Sequence, residues 1–258
     1  KSEPNNVESH RSFINKWKDR SGDLIPLYEK AASDSPRSPA IQYALGYVYA
    51  VTEKKEFIDK SILMFQKSLE LDPNFLMAHF SLGSMYLRKG DYKSAETEFL
   101  KTIDLDGKFF PAYFNLGEAY RNMKQYDLAT TAYQKSLEIK RDWGFPHYGM
   151  GMIYLAQNEL KDAELEFKKA IDYNPEIAMA HFKLGQIYAM QDREMELISK
   201  EYREGQKYDK TNALVFYELG KIFTEKDKSG LAIQAYKNAV SIDPNMSQAH
   251  FELGTEYY

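Results

Sequence analysis

Five histidines and no cysteine bound the chemistry open to this chain of 258 residues. His79, His147, His181 and His250 stand 68, 34 and 69 residues apart, and clustered imidazoles can bind metals or act as bases. Asp104-Leu105-Asp106-Gly107 opens like a calcium loop, but Thr102 holds the ligand place before it and Tyr113 the place of the obligatory late glutamate, so the match fails. Gly144, Gly149 and Gly151 follow no strand and cannot form a dinucleotide turn. There is no phosphate loop, zincin pair or nucleophile elbow. The absence of cysteine removes disulfides, thiolate chemistry and Cys-ligated metals, and it suits a reducing or an oxidising compartment equally. Asn245-Met246-Ser247 is a formal glycosylation sequon of the kind that chance supplies. These residues point to no enzyme, no cofactor and no metal.

The even spacing of the histidines belongs to the elements that carry them. Phe110–Trp143 contains two amphipathic stretches joined by a tight turn: Leu116, Gly117 and Tyr120 share one helical face, and Ala129, Tyr133 and Ser136 share another. The glycine recurs as Gly46, Gly83, Gly117, Gly151, Gly185, Gly220 and Gly254, at intervals of 37, 34, 34, 34, 35 and 34 residues. A small place follows at Ser61, Ala95, Ala129, Ala163, Ile198 and Ala232, held by Ser or Ala in all but the fifth copy, then an aromatic at Phe65, Phe99, Tyr133, Phe167, Tyr202 and Tyr236. A period of about 34 residues marks stacked helix–turn–helix units. Seven mid-helix glycines each cost about 1 kcal/mol relative to alanine. Close approach of the paired helix, with aromatic knobs settling where the Cα is bare, is the expected compensation. Equivalent places in stacked copies lie about 10 Å apart, too far for the histidines to share a ligand.

This small–large pattern resembles the tetratricopeptide repeat family over residues 39–258. The resemblance implies an all-α, right-handed solenoid of stacked antiparallel helix pairs, with repeats at 39–75, 76–109, 110–143, 144–177, 178–212 and 213–246 and a half repeat at 247–258. Residues 1–38 are expected to form a degenerate helical pair that caps the array, with Phe13, Ile14 and Trp17 on one stripe and Pro26 in the first turn of the second helix. The three extra residues of the first copy fall near 52–57, as a helical turn or a longer loop. Proline stops helices at Asp72-Pro73-Asn74, Asn174-Pro175-Glu176 and Asp243-Pro244-Asn245, and Gly107 is expected to do so through left-handed geometry. The fifth copy departs most, with one extra residue, Ile198 at the small place and Gly205 near its end.

The resemblance also implies a non-catalytic scaffold that binds a peptide segment or helix of another protein in a concave groove. Its lining is expected from Tyr43, Phe80, Phe114, Tyr148, Phe182 and Tyr217, three residues before each glycine. Those aromatics have a second reading, as packing between adjacent first helices. Met77, Phe145 and Met179 lie one helical turn before them. Ser84, Glu118, Met152, Gln186 and Lys221 follow the glycines directly, with Arg88, Arg121 and Asn122 a turn further. The clamp of Lys, Asn and Arg used by chaperone-binding members is missing, since Phe80, Ser84 and Phe145 stand at its places. Of the asparagine ladder found in a glycosyltransferase type, only Asn115 is present.

Lys plus Arg is 34 and Asp plus Glu 38, a net charge of −4, which argues against nucleic acid or an anionic membrane as partner. No apolar run approaches the roughly 20 residues that span a bilayer. Two alternatives to groove binding follow: self-association through the last helix, where Leu253 and Tyr257 would lack a covering helix unless the array continues, and a substrate-recruiting arm of a larger enzyme. Lys1 in place of an initiating Met fits a removed leader or an interior boundary.

Overall fold

The structure is a computed structural model and describes residues 6–52 and 54–257. Among the described residues every regular element is helical. The chain forms two compact units, 1–141 and 142–258.

In the first unit, α1 (Val7–Lys16) and α2 (Ser21–Asp34) precede three pairs: α3 (Pro39–Val51) with α4 (Ile58–Leu71), α5 (Leu76–Lys89) with α6 (Tyr92–Leu105), and α7 (Phe110–Asn122) with α8 (Tyr126–Ile139). α4 also packs on α5 and α6 on α7, so the pairs stack as a solenoid segment. The second unit holds three more pairs, α9 (Gly144–Ala156) with α10 (Leu160–Tyr173), α11 (Ala178–Met190) with α12 (Met195–Tyr208), and α13 (Ala213–Glu225) with α14 (Ser229–Ile242); α10 packs on α11, and α15 (Ser247–Thr255) packs on α14.

The glycines do what their cost requires. A methyl group at Gly46, Gly83, Gly117, Gly151, Gly185 or Gly220 would lie 2.4–2.9 Å from ring carbons of Phe65, Phe99, Tyr133, Phe167, Tyr202 or Tyr236 respectively. Those rings are buried, and each contributes about 2 kcal/mol by leaving water, which offsets the glycine beneath it. Ser61, at the first small place, donates to the Gly46 carbonyl at 2.8 Å and ties the pair further.

The turns are equally local. Between the helices of a pair, one residue takes positive φ: Gly90 (85°), Lys124 (60°), Asn158 (61°), Asp192 (55°) and Asp227 (54°). Between pairs, Asp72, Asp106, Asn174, Asp209 and Asp243 accept the backbone N–H two residues on, at 2.9–3.1 Å, a side-chain turn that stops the helix. Gly107 is therefore not left-handed, as expected above; the Asp106 carboxylate makes that turn instead. The extra residues of the first copy form a loop ending in a 3-10 turn, Lys55–Phe57.

The N-terminal segment differs most from expectation. α1 and α2 meet through His10 and Tyr28, hydrogen-bonded at 3.1 Å with their rings edge-on at 5.7 Å, and Ile14 and Leu24 share one apolar cluster; both helices also pack on α3. Of the expected stripe only Ile14 is buried, while Phe13 and Trp17 stay 43% and 39% exposed. Pro26 lies at the sixth position of α2, past the first turn, on an exposed side of the helix, where Gly22 loses its N–H partner to solvent.

The first-helix face as candidate functional site

In each unit the first helices of successive pairs line one face, α3, α5 and α7 in one and α9, α11 and α13 in the other. The glycine–aromatic knobs fix these helices from behind, so the residues flanking each glycine are aimed at the opposite face.

The aromatic place three residues before the glycine takes both roles open to it. Tyr43 and Phe182 are fully buried. Tyr43 packs against Phe65 and Phe75, with ring centroids 5.4 and 5.1 Å away, and its hydroxyl pairs with Ser81 at 3.3 Å. Phe182 sinks onto Gly205, where a Cβ would come within 2.6 Å of its ring. These two serve packing and present no surface. Phe80, Phe114, Tyr148 and Tyr217 are half-buried, each seated on a ring of its own pair: Phe99 at 6.0, Tyr133 at 5.8, Phe167 at 5.8 and Tyr236 at 5.9 Å. The outer edges of these four rings remain on the face.

The places after the glycine carry the polar part. Glu118 accepts from Arg121 at 2.6 Å and from the Tyr133 hydroxyl, and its backbone carbonyl accepts from Asn122 at 2.8 Å. Burial works against the Arg121 charge, but the Glu118 carboxylate outweighs it and raises the guanidinium pKa. Burial, followed by Glu118, pushes the Tyr133 phenol up. Glu118, Arg121 and Asn122 are thus a preorganised polar knot. In the second unit Gln186, itself buried, donates to Glu218 at 2.6 Å beside Lys183 at 2.9 Å. Burial would lift the Glu218 pKa, but those two bonds prevail and lower it. Gln186 is committed to that knot. Ser84 donates to the Phe80 carbonyl at 2.9 Å, and Arg88 to the Ala50 carbonyl at 3.0 Å. Met152 and Met179 are half-buried, Phe145 is 39% exposed, and Lys221 is exposed.

α1 covers part of this face in the first unit. Arg11 lies over the Tyr47 ring at 5.3 Å and reaches the Met77 sulfur at 3.8 Å. The Tyr47 hydroxyl donates to Asn15 at 2.7 Å, and Val7 packs in the cluster holding Tyr43, Tyr47 and Met77. Val7, Arg11 and Asn15 recur every fourth residue, so one stripe of a helix meets Tyr47, directly after Gly46, and Met77. Tyr47 escaped the expected lining, although its place after the glycine was the available signal.

Three of the histidines bind carboxylates inside their own repeats. Nδ1 of His79, His147 and His181 donates to Glu98, Glu166 and Glu201 at 2.6, 2.6 and 2.8 Å. The Glu98 bond lifts the His79 pKa against the effect of burial. Burial would raise Glu166, but hydrogen bonds from His147 and Lys169 outweigh it and hold the carboxyl low. His250 pairs with the Pro244 carbonyl at 3.0 Å. Each carboxylate clamps a first helix to its second helix.

Stacked helix pairs with glycine notches and an exposed first-helix face define a helical-repeat binding protein. Models described as tetratricopeptide repeat match residues 64–97, 110–142 and 213–246, and one described as TPR repeat matches 151–192. The chain belongs to the tetratricopeptide repeat family and, as such, is a protein–protein interaction scaffold of a generally non-catalytic kind. No curated protein matches the sequence at a significant level. Among solved structures, it resembles a chain of the APC/C hetero-tetramer Cut9-Hcn1, at 18% identity and a TM-score of 0.78, over 99% of this chain and 50% of that one. This chain thus spans half the length of that relative. A tetratricopeptide repeat protein from Parabacteroides merdae is similar at 16% identity and a TM-score of 0.70, over 97% of this chain and 100% of that one. YrrB, described as a TPR protein with an unusual peptide-binding site, is similar at 20% identity and a TM-score of 0.52, over 72% and 96%. At these identities the likeness is one of fold. No helix among the described residues is long and apolar enough to cross a membrane.

Proposed function

We propose that the chain is non-catalytic and binds amphipathic helical segments of a partner protein along the first-helix face of each unit. The observation that carries this reading is α1: an amphipathic helix of the chain itself already lies on Tyr47 and Met77, through a stripe with fourfold spacing. Helix-in-groove recognition uses just such i, i+4 and i+8 contacts. Half-buried Phe80, Phe114, Tyr148 and Tyr217, with Met152 and Met179, supply adaptable apolar area, and the Glu118–Arg121–Asn122 knot supplies fixed polarity.

The test is partner capture by immobilised full chain. Phe114→Ala with Tyr148→Ala should retain helicity and lose at least tenfold in capture, as expected for two aromatic anchors. Leu128→Ala with Leu165→Ala, at positions 49% and 50% exposed on second helices, should change nothing. Equal capture by all three chains refutes the proposal.

A second reading, self-association through α15, is favoured by one observation. Phe251 and Tyr257 are 72% and 60% exposed, and no ring lies within 4 Å of the Gly254 notch. Light scattering over a concentration series tests it: Leu253→Lys with Tyr257→Lys should lower the mass, and an unchanged mass ends this reading.

A further inference from the structure

The irregular fifth repeat opens a cleft in the second unit, away from the first-helix face. α4 packs closely on α5, α6 on α7 and α10 on α11; α12 lacks that close packing on α13, and α11 meets α13 directly. The cause is local. The turn 191–194 has one residue more than the turns 123–125 and 157–159, and bulky Ile198 fills a place held by Ser or Ala in the other repeats. Gly205 on α12 leaves room for the Phe182 ring of α11, which a Cβ there would meet at 2.6 Å. The result is a cavity of about 170 Å³ between α12 and α14, floored by α13.

Floor and rim differ in chemistry. Ile198, Tyr202, Phe216, Leu219, Phe223 and Ala235 are all buried and form an apolar base. The Tyr202 hydroxyl is spent on the Val215 carbonyl at 3.2 Å. Around the rim stand Ser199, Gln206, Gln234 and Asn238, whose side chains make no hydrogen bond among the described residues. Arg203 is the only charged lining residue, and Glu196 already holds it at 2.9 Å. Met195, 39% exposed and unbranched, closes one side of the mouth.

An apolar floor with a few converging neutral polar groups is the anatomy of a small-ligand site. Its size decides the ligand: an apolar cavity of about 150 Å³ holds one benzene ring. With no lining carboxylate to attract an amine and the one guanidinium engaged, charge is not what the rim selects. We propose that this cleft binds a single-ring aromatic molecule bearing an uncharged hydrogen-bonding substituent, of the phenol class. The ring lies on Phe216, Leu219 and Phe223, and the substituent exchanges hydrogen bonds with the amides of Gln206, Gln234 and Asn238.

Phenol is the probe, and the full chain carrying labelled Met, Ile and Leu methyl groups is the target. Titration should shift the methyl resonances of Met195, Ile198, Leu219 and Leu231 together, with a single Kd of about 1 mM. Methyls of the first unit, such as those of Ile62 and Leu82, should stay still. Ser199→Leu pushes a branched side chain into the mouth; it should weaken phenol at least tenfold and leave Tm unchanged or raised, because it fills space. Gln206→Leu leaves the floor intact and should weaken phenol while sparing toluene. The proposal is overturned if these methyls do not respond to about 10 mM phenol, ten times that Kd, even if a peptide with a Phe or Leu anchor moves them. It is also overturned if toluene binds the native chain as tightly as phenol, or if Ser199→Leu binds phenol like the native chain.

Discussion

Replacing Gly151 with alanine tests the packing rule on which every repeat rests. Helix propensity alone favours the change by about 1 kcal/mol. Packing opposes it. The new methyl would sit 2.8 Å from Cδ1 and Cε1 of Phe167 and 3.1 Å from Cζ. Phe167 is fully buried and has nowhere to withdraw, and forced overpacking of this kind costs about 1–3 kcal/mol. The net expectation is destabilisation by about 1 kcal/mol. Gly22 and Gly230 are the controls, since both are helical and nothing lies within 4 Å of their added methyls. Alanine there should stabilise by up to about 1 kcal/mol. Equilibrium urea unfolding followed by far-UV circular dichroism reads the difference: the midpoint should fall for Gly151→Ala by about 0.5 M and rise for the controls. In a Phe167→Leu background the ring is gone, and Gly151→Ala should turn neutral or stabilising, which a double-mutant cycle measures. If Gly151→Ala raises the midpoint as the controls do, the ring is not what the glycine makes room for, and the account of the repeat fails.

Three further outcomes follow from single contacts. Gly90 has φ of 85°, so Gly90→Ala should cost about 1 kcal/mol, whereas Lys124→Gly, at φ of 60°, should stabilise by a similar amount; the same urea midpoints decide both. The His79 pKa is raised by Glu98 above its ordinary 6.5, so the pair's contribution is full below that value and fades as pH rises through the folded one. The stability gap between the native chain and Glu98→Gln should therefore be largest in mildly acidic buffer, about 1 kcal/mol, and a gap that grows above neutrality contradicts this sign. Tyr47→Phe removes the 2.7 Å bond to Asn15 and should speed amide exchange across α1 several-fold while α3 and α4 keep their protection, as hydrogen exchange resolves.

Most of the fold was legible because it is written in neighbours. Glycine, small and aromatic places lie within 16 to 19 residues of one another in each copy, whereas five of the turns between pairs, four of them read from the sequence as proline or glycine stops, are set by one Asp or Asn side chain reaching two residues on. The candidate face was half legible: helical spacing put Phe80, Phe114, Tyr148 and Tyr217 on one side, yet spacing alone could not separate them from Tyr43 and Phe182. What buries those two is non-local, namely Phe75 and Ser81 around Tyr43 and the Gly205 notch beneath Phe182. α1 was legible only in part for the same reason. Its apolar residues suggest one half of a pair that caps the array, but its Val7, Arg11 and Asn15 stripe is recognised only once Tyr47 and Met77 stand side by side. The cleft beside α12 is a void, and a void leaves no residue pattern to read.

Site-directed photocrosslinking tests the central claim most directly. A photoreactive amino acid is placed singly in the full chain, at Ser84 or Met152 on first helices and at Leu100 or Leu165 on second helices, the latter two 45% and 50% exposed. Each chain is then irradiated with cell lysate. The account predicts a discrete crosslinked partner from Ser84 and Met152 and none from Leu100 and Leu165. A partner captured only from Leu100 and Leu165 would place recognition on the opposite face and contradict it.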